Sequence, residues 1–465
     1  MTKLKFQLNA ALLSLILAFS AATQASNLPD LGSPGLVIYD RQTEVALGRA
    51  FTKALHTQFD LVKDPEVLSY VRRIGHRVAS HAQDGRHYRF YVINDNSINA
   101  FAGPNGIIGI HSGLILIADS EDELASVIAH EIAHITQEHL SRRFEQQSSM
   151  NITSFASLLA AILIGSHNPS AGIAALMGTT GLSIQQQLKH SRIHEHEADH
   201  LGIELLYKAG YQPVAMADFF GKLSQQQQLN EFRPPEILMT HPVSENRLAQ
   251  AANRAHQLGQ VEARHDPINL KLIQQRLTLS QPITNQKLLS DPIVNCYRRL
   301  SLDTGSPDTS CLNQALERHP NNRLLKTLSQ KIAFHHEPTK ALEELQHLTE
   351  IYPQDEALLL LLARYHREHS NNETAQKLLI SNLTNKLYKF ELYQELSQSF
   401  ASERKMAEAY LFEAKAYLDI GDLERARHLI RLSQESTPTI GTTLNKKQQA
   451  LNNLLNPTQS NVQKP

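Results

Sequence analysis

Two histidines four residues apart, with a glutamate directly after the first, make His130-Glu131-Ile132-Ala133-His134 the stretch best suited to chemistry. On a helix, residues four apart lie one turn above each other on one face, so both imidazoles can reach a single metal ion. Glu131 then stands beside that ion, placed to take a proton from a water that the metal activates. The surroundings ask for a helix. Glu121-Asp122-Glu123 puts acids in its first turn, and Leu124, Val127, Ile128 and Ile135 form an apolar stripe. The bland alternative is an amphipathic helix carrying two solvated histidines.

A catalytic zinc takes three protein ligands and leaves one position open for water. The third is sought in Glu195-His196-Glu197-Ala198-Asp199-His200, where Leu201, Ile203, Leu205 and Leu206 give a second helix its apolar face. Glu197 is the candidate ligand, although on pattern alone it is no better than Glu195. Asp199 is a candidate acceptor that would hold a histidine ring in the tautomer that binds metal.

The elements that must position these helices are partly legible. Residues 36–120 mix helix and strand, with Tyr88, Phe90 and Val92 alternating with Arg89 and Tyr91 as a half-buried strand should. Ile98 to Gly106 reads as a glycine-bearing turn, and the apolar run Ile107 to Ile110 as a strand near the histidine helix. An exposed strand edge beside a metal would let an extended peptide add itself as a further strand. Residues 155–182 are apolar and poor in charge but broken at His167-Asn168-Pro169. They suit a buried helix or a mobile lid over the cleft, or contact with a membrane surface or an apolar client. Ser224 to Gln228, with Pro234-Pro235 beyond, reads as a polar surface loop.

From about residue 290 the pattern becomes one of helical hairpins. Ala341 and Ala375 are 34 residues apart, as are Leu345 and Leu379, and Pro320 and Pro353 are 33 apart. That period, with small residues at helix crossings, is the tetratricopeptide signature. The best unit runs from Ala407 to Pro438, with Ala414, Tyr417, Gly421, Ala426 and Ile430 at the positions that repeat requires. A plain helical bundle is the alternative. Arrays of this kind form concave surfaces for extended or partly folded partners.

At 465 residues the chain is long enough for two or three domains. A net charge of −1 leaves no basic footprint, which argues against nucleic acid as a partner. Lys3 and Lys5, the apolar run Ala10 to Phe19 and the small residues around Thr23-Gln24-Ala25 read as a cleavable export signal, which points to a periplasm. In an oxidising compartment Cys296 and Cys311, the only cysteines, are expected to pair; two unpaired buried thiols are the alternative.

Taken together the motifs are recognisable. Asn99-Ala100-Phe101-Ala102, His111-Ser112-Gly113-Leu114, the five residues from His130, Glu197-Ala198-Asp199 and Thr240-His241-Pro242 followed by Arg247 occur in this order. The set closely resembles the HtpX-like gluzincin metallopeptidases over residues 36–255, and more loosely, with the repeats, to about residue 455. With its export signal the chain resembles the periplasmic members that act in outer-membrane assembly.

The resemblance implies one Zn2+ per chain on His130, His134 and Glu197, with Glu131 as general base. It implies that His241 can bind the metal as a fourth ligand and hold the enzyme inactive, since a fourth protein ligand fills the position that water needs. Without the resemblance, His241 reads as a helix-start histidine ahead of Pro242. Arg247 would stabilise negative charge in the site. His111, His139, His190, His194, His196 and His200 match no ligand position, and Pro104-Asn105-Gly106 departs from the paired glycines common in relatives.

The fold class expected is α+β. A signal peptide at 1–25 precedes a mostly helical zinc-metallopeptidase domain with a small β-sheet at 26–265. An all-α tetratricopeptide-repeat domain at 266–456 and a disordered tail at 457–465 follow. The function implied is periplasmic zinc metalloendopeptidase with chaperone-like client binding. Misfolded or stalled outer-membrane proteins would be its substrates and the outer-membrane barrel-assembly machinery its partner. The rival is a repeat-based chaperone or scaffold whose protease site is mostly repressed or vestigial.

Overall fold

The computed structural model describes residues 41–145, 184–229, 235–262, 265–279, 290–303, 305, 307–384, 386–436 and 443–455. The expected signal peptide, the tail from 457 and the apolar stretch 155–182 all lie outside these residues.

The fold is α+β, as expected. Helices α1 (Arg41–Gln58) and α2 (Pro65–Ala79) lead into strands β1 (Arg89–Ile93), β2 (Ala100–Ala102) and β3 (Ile107–His111). Helices α3 (Ser112–Ile117), α4 (Glu121–Thr136) and α5 (His139–Glu145) follow, then α6 (Ile184–Lys208), α7 (Ala215–Leu229), α8 (Ile237–Thr240) and α9 (Glu245–Leu258). The sheet order is β1-β3-β2, with β1 parallel and β2 antiparallel to β3.

The alternation in β1 is present, but both of its faces are buried. Phe90 and Val92, with Ile108 and Ile110 of β3, pack against Val67, Val71 and Ile74 of α2 and Leu124 and Ile128 of α4. Tyr91, Ile93 and Ile107 point the other way and are covered by Leu47, Phe51 and Leu55 of α1. Part of the expected turn at 98–106 is strand: Ala100–Ala102 pairs with Ile108–Ile110. The hairpin closes through Asn105 and Gly106, at φ 58° and 75°. Asn and Gly tolerate that left-handed backbone, and a Cβ on Gly106 would sit 2.4 Å from the His87 carbonyl oxygen. The expected loop at Ser224–Gln228 is instead the end of α7; glutamine is a good helix former, and Gln225, Gln227 and Gln228 are exposed.

The C-terminal region is all helix. Successive helices such as Glu356–Glu368 and Asn372–Asn382, or Met406–Asp419 and Leu423–Glu435, pack on one another. Ala341, Ala375, Ala414 and Ala426 are buried at these crossings. Cys296 and Cys311 form a disulfide with Sγ atoms 2.03 Å apart.

This region is fastened to the sheet and to α2. Arg72 lies 2.7 Å from Glu356 and 2.8 Å from Glu391, with its guanidinium 3.6 Å over the Tyr388 ring. The Tyr388 hydroxyl accepts from the Phe90 backbone N–H at 2.8 Å. Residues Ile268, Leu272, Leu300 and Leu325 share one hydrophobic core with α2 and α4.

Candidate metal centre

Helix α4 starts where its residues require it to. The Ser120 hydroxyl caps the Glu123 N–H at 3.1 Å, Glu123 in turn accepts from Asp119 N–H at 2.8 Å, and three acids occupy the first turn. The helix is buried almost all round, so its register is fixed by packing, and His130 and His134 point to one side. Their Nε2 atoms lie 3.0 Å apart.

Helix α6 crosses α4 closely because Gly202 has no side chain. A Cβ there would lie 3.2 Å from the His130 backbone nitrogen and 3.3 Å from the Ala129 carbonyl carbon. Glu195, Asp199 and Gly202 fall at helical spacings of four and three, on one face. That face meets α4.

The carboxylate that the structure brings to the two histidines is that of Glu195, where Glu197 was expected. One ligand atom each from His130, His134, Glu195 and His241 lie within 4.8 Å of one another. Glu195 oxygens sit 3.4 Å from both His130 Nε2 and His134 Nε2. Glu197 is two residues further along, about 200° around the helix. Its side chain is 38% exposed and is taken up by His139 Nε2 at 3.1 Å and Arg142 at 2.9 Å. The signal that could have found Glu195 was Asp199, four residues on and so on the same face.

His241 follows the short helix α8, which ends because the next residue is Pro242. Its loop hangs on the sheet: Ile237 N–H donates to the Ile98 carbonyl at 3.1 Å. His241 Nδ1 lies 3.3 Å from His130 Nε2 and 3.1 Å from Glu195, and its Nε2 is 3.6 Å from Glu131.

Asp199 stands behind the His130 ring, 3.1 Å from its Nδ1. Arg247 is brought to the site, where its guanidinium is taken up by two carboxylates and a backbone carbonyl. Its Nε and Nη2 donate to the two Asp199 oxygens at 2.7 Å each, and its Nη1 to the Pro242 carbonyl at 2.7 Å, 3.0 Å from Glu195. The negative charge it neutralises belongs to Asp199 and Glu195. His139, which sequence reasoning left without a role, is the nearest partner of His134: their Nδ1 atoms are 2.7 Å apart.

Electrostatics separates the two histidines of α4. Burial would depress His130, but the Asp199 and Glu195 carboxylates raise it to about 10. Burial drives His134 well below its ordinary value. Burial likewise lowers His139 to about 4. For Glu195, burial is outweighed by the imidazoles of His241, His134 and His130, which hold its carboxyl well below the usual range.

These residues fit a metal. Three imidazoles and one carboxylate are a donor set that suits a divalent transition-metal ion. Glu131 is 1% exposed, and neither of its oxygens accepts a hydrogen bond from the protein. A buried carboxylate left so is costly unless something bound at the site answers it.

Comparison with known proteins agrees. The sequence model of peptidase family M48 matches residues 65–255. The chain is 39% identical to the beta-barrel assembly-enhancing protease of Escherichia coli (strain K12) over 238 residues, 51% of this chain and 49% of that protein. Against the protein of that name from Yersinia pestis it is 29% identical over 449 residues, 88% and 91% of the two chains. It is also 29% identical over 170 residues to the mitochondrial metalloendopeptidase OMA1 of Saccharomyces cerevisiae, 36% of this chain and 46% of that one. The match spans about half the length of the Escherichia coli relative. Residues 65–255 of this chain are thus a peptidase family M48 domain.

Proposed function

We propose that the chain is a zinc metalloendopeptidase that holds one Zn2+ on His130, His134 and Glu195. The observation that carries this reading is the buried Glu131, whose oxygens accept no hydrogen bond, beside four convergent donors. Zinc bound there would lower the pKa of water and polarise a carbonyl. Glu131 would take the proton of the attacking water and hand it to the leaving amine. Asp199 orients His130, and Arg247 holds both Asp199 and Glu195 in place. Strand β2, at an edge of the sheet and packed beside α4, is where an extended substrate could add its backbone.

The name beta-barrel assembly-enhancing protease borne by its relatives, with the expected export signal, supports action in the periplasm during assembly of outer-membrane proteins. Its substrates would be misfolded or stalled outer-membrane proteins, and its partner the barrel-assembly machinery. The helical repeats would bind clients. Among the described residues no helix is long and apolar enough to cross a membrane.

The test is cleavage of a loosely folded protein such as casein by zinc-loaded enzyme. Glu131→Gln should lower kcat by about 10²–10⁴-fold while leaving zinc bound. Unchanged turnover would sink the assignment. His241 favours a second reading, a chaperone or scaffold with a repressed site, because it is a fourth donor in the cluster and a fourth protein ligand would fill the position that water needs. If the site is repressed but competent, His241→Ala raises turnover; if it is vestigial, no variant cleaves.

A further inference from the structure

His134 presents its Nε2 to the cluster, 3.0 Å from His130 Nε2, and its Nδ1 to His139 Nδ1 at 2.7 Å. A ring that gives its Nε2 lone pair to a metal keeps its proton on Nδ1. His134 is then the donor and His139 Nδ1 the acceptor. A neutral imidazole that accepts at Nδ1 has its own proton at Nε2. That nitrogen lies 3.1 Å from the Glu197 carboxylate, which Arg142 also contacts at 2.9 Å. Each proton in the series therefore has an acceptor.

The two ligand histidines are supported differently. His130 has the Asp199 carboxylate directly behind it at 3.1 Å. His134 reaches a carboxylate only through an intervening ring. That ring cannot easily turn away: the His139 side chain is 6% exposed and stacks on His194 at 4.3 Å and 14°.

We propose that His139 is a positioning residue that fixes the tautomer and orientation of His134, and that Glu197 completes the relay from behind rather than binding metal. The inference rests on the metal-centre reading above and adds to it the residues that aim one ligand.

Zinc affinity of the full chain, measured by competition against a chromophoric chelator, tests this without recourse to catalysis. His139→Phe keeps a ring to stack on His194 but removes the acceptor. It should weaken zinc binding by about 10–100-fold, and lower kcat more than it changes KM. His139→Gln offers an amide oxygen to the same proton and should recover most of the loss. Glu197→Ala should weaken binding in the same direction by less.

A packing role alone predicts the reverse order, with Phe tolerated and Gln not, and that result would overturn the proposal. So would His139→Phe binding zinc as tightly as the unmodified chain. Should circular dichroism show that His139→Phe does not fold, the partly exposed Glu197→Ala decides, and unchanged affinity counts against the relay. An unmodified chain that binds no zinc is a different result, which removes the metal-centre reading itself.

Discussion

Arg247 grips Asp199 through two parallel hydrogen bonds of 2.7 Å, and from the same guanidinium reaches the carbonyl of Pro242, next to His241. One buried cation thereby ties helix α6 to the His241 loop. Lysine keeps the charge but not the planar fork. Arg247→Lys should lower zinc affinity by about tenfold through Asp199 and His130, and Arg247→Leu by more. Chelator competition on both variants checks the order; equal affinity in all three proteins would show that the clamp is irrelevant to the metal.

Gly202 sets how closely α6 approaches α4. Gly202→Val would put side-chain atoms against the His130 backbone, where a Cβ alone already comes within 3.2 Å. We expect a loss of about 1–3 kcal/mol in urea unfolding, together with weaker zinc binding as Glu195 is pushed away. Full zinc affinity in a destabilised variant would separate packing from the site.

The attachment of the C-terminal helices depends on Arg72, which is 7% exposed and answers both Glu356 and Glu391. Arg72→Leu leaves two carboxylates facing an apolar side chain and should cost about 3–5 kcal/mol. Replacing Glu356 and Glu391 by glutamine in the same chain should recover part of that loss. Urea denaturation of the metal-free protein measures both steps, and an unaltered midpoint for Arg72→Leu would refute the fastening role.

Acid should loosen the same interface. Burial lowers His56 to about 4, with Arg72 adding to the effect against Glu391; burial and Arg72 lower His76 to about 4. Both folded values lie below the ordinary 6.5, so the unfolded chain takes up protons first as pH falls. The stability these rings contribute is complete above about pH 6.5 and declines toward pH 4, by at most about 1.4 kcal/mol per pH unit for each ring. Melting temperatures of chelator-treated protein across that window should fall, and the double variant His56→Gln/His76→Gln should flatten the slope. A slope equal in both proteins would assign the acid sensitivity elsewhere.

Much of this site was legible because helical periodicity is local. His130, Glu131 and His134 could be placed on one helix from spacing and from the acids ahead of them. Phe90 and Val92 announced a strand in the same way. Tyr91 could not be read as buried, since the α1 residues that cover it are more than thirty positions away in sequence. Glu195 and Glu197 have the same chemistry, and only the direction each faces distinguishes them. Asp199 and Gly202, on the Glu195 stripe, carried that information. His139 was hidden for another reason: the chain turns at Glu138, φ 55°, so no helical spacing connects His139 to His134.

Zinc stoichiometry of the purified full chain and two variants, by inductively coupled plasma mass spectrometry after gel filtration in a weak chelator, is the most direct test. The account predicts one zinc per chain in the unmodified protein, none in Glu195→Ala, and zinc retained, though held less tightly, in Glu197→Ala. Metal kept by Glu195→Ala and lost by Glu197→Ala would contradict it.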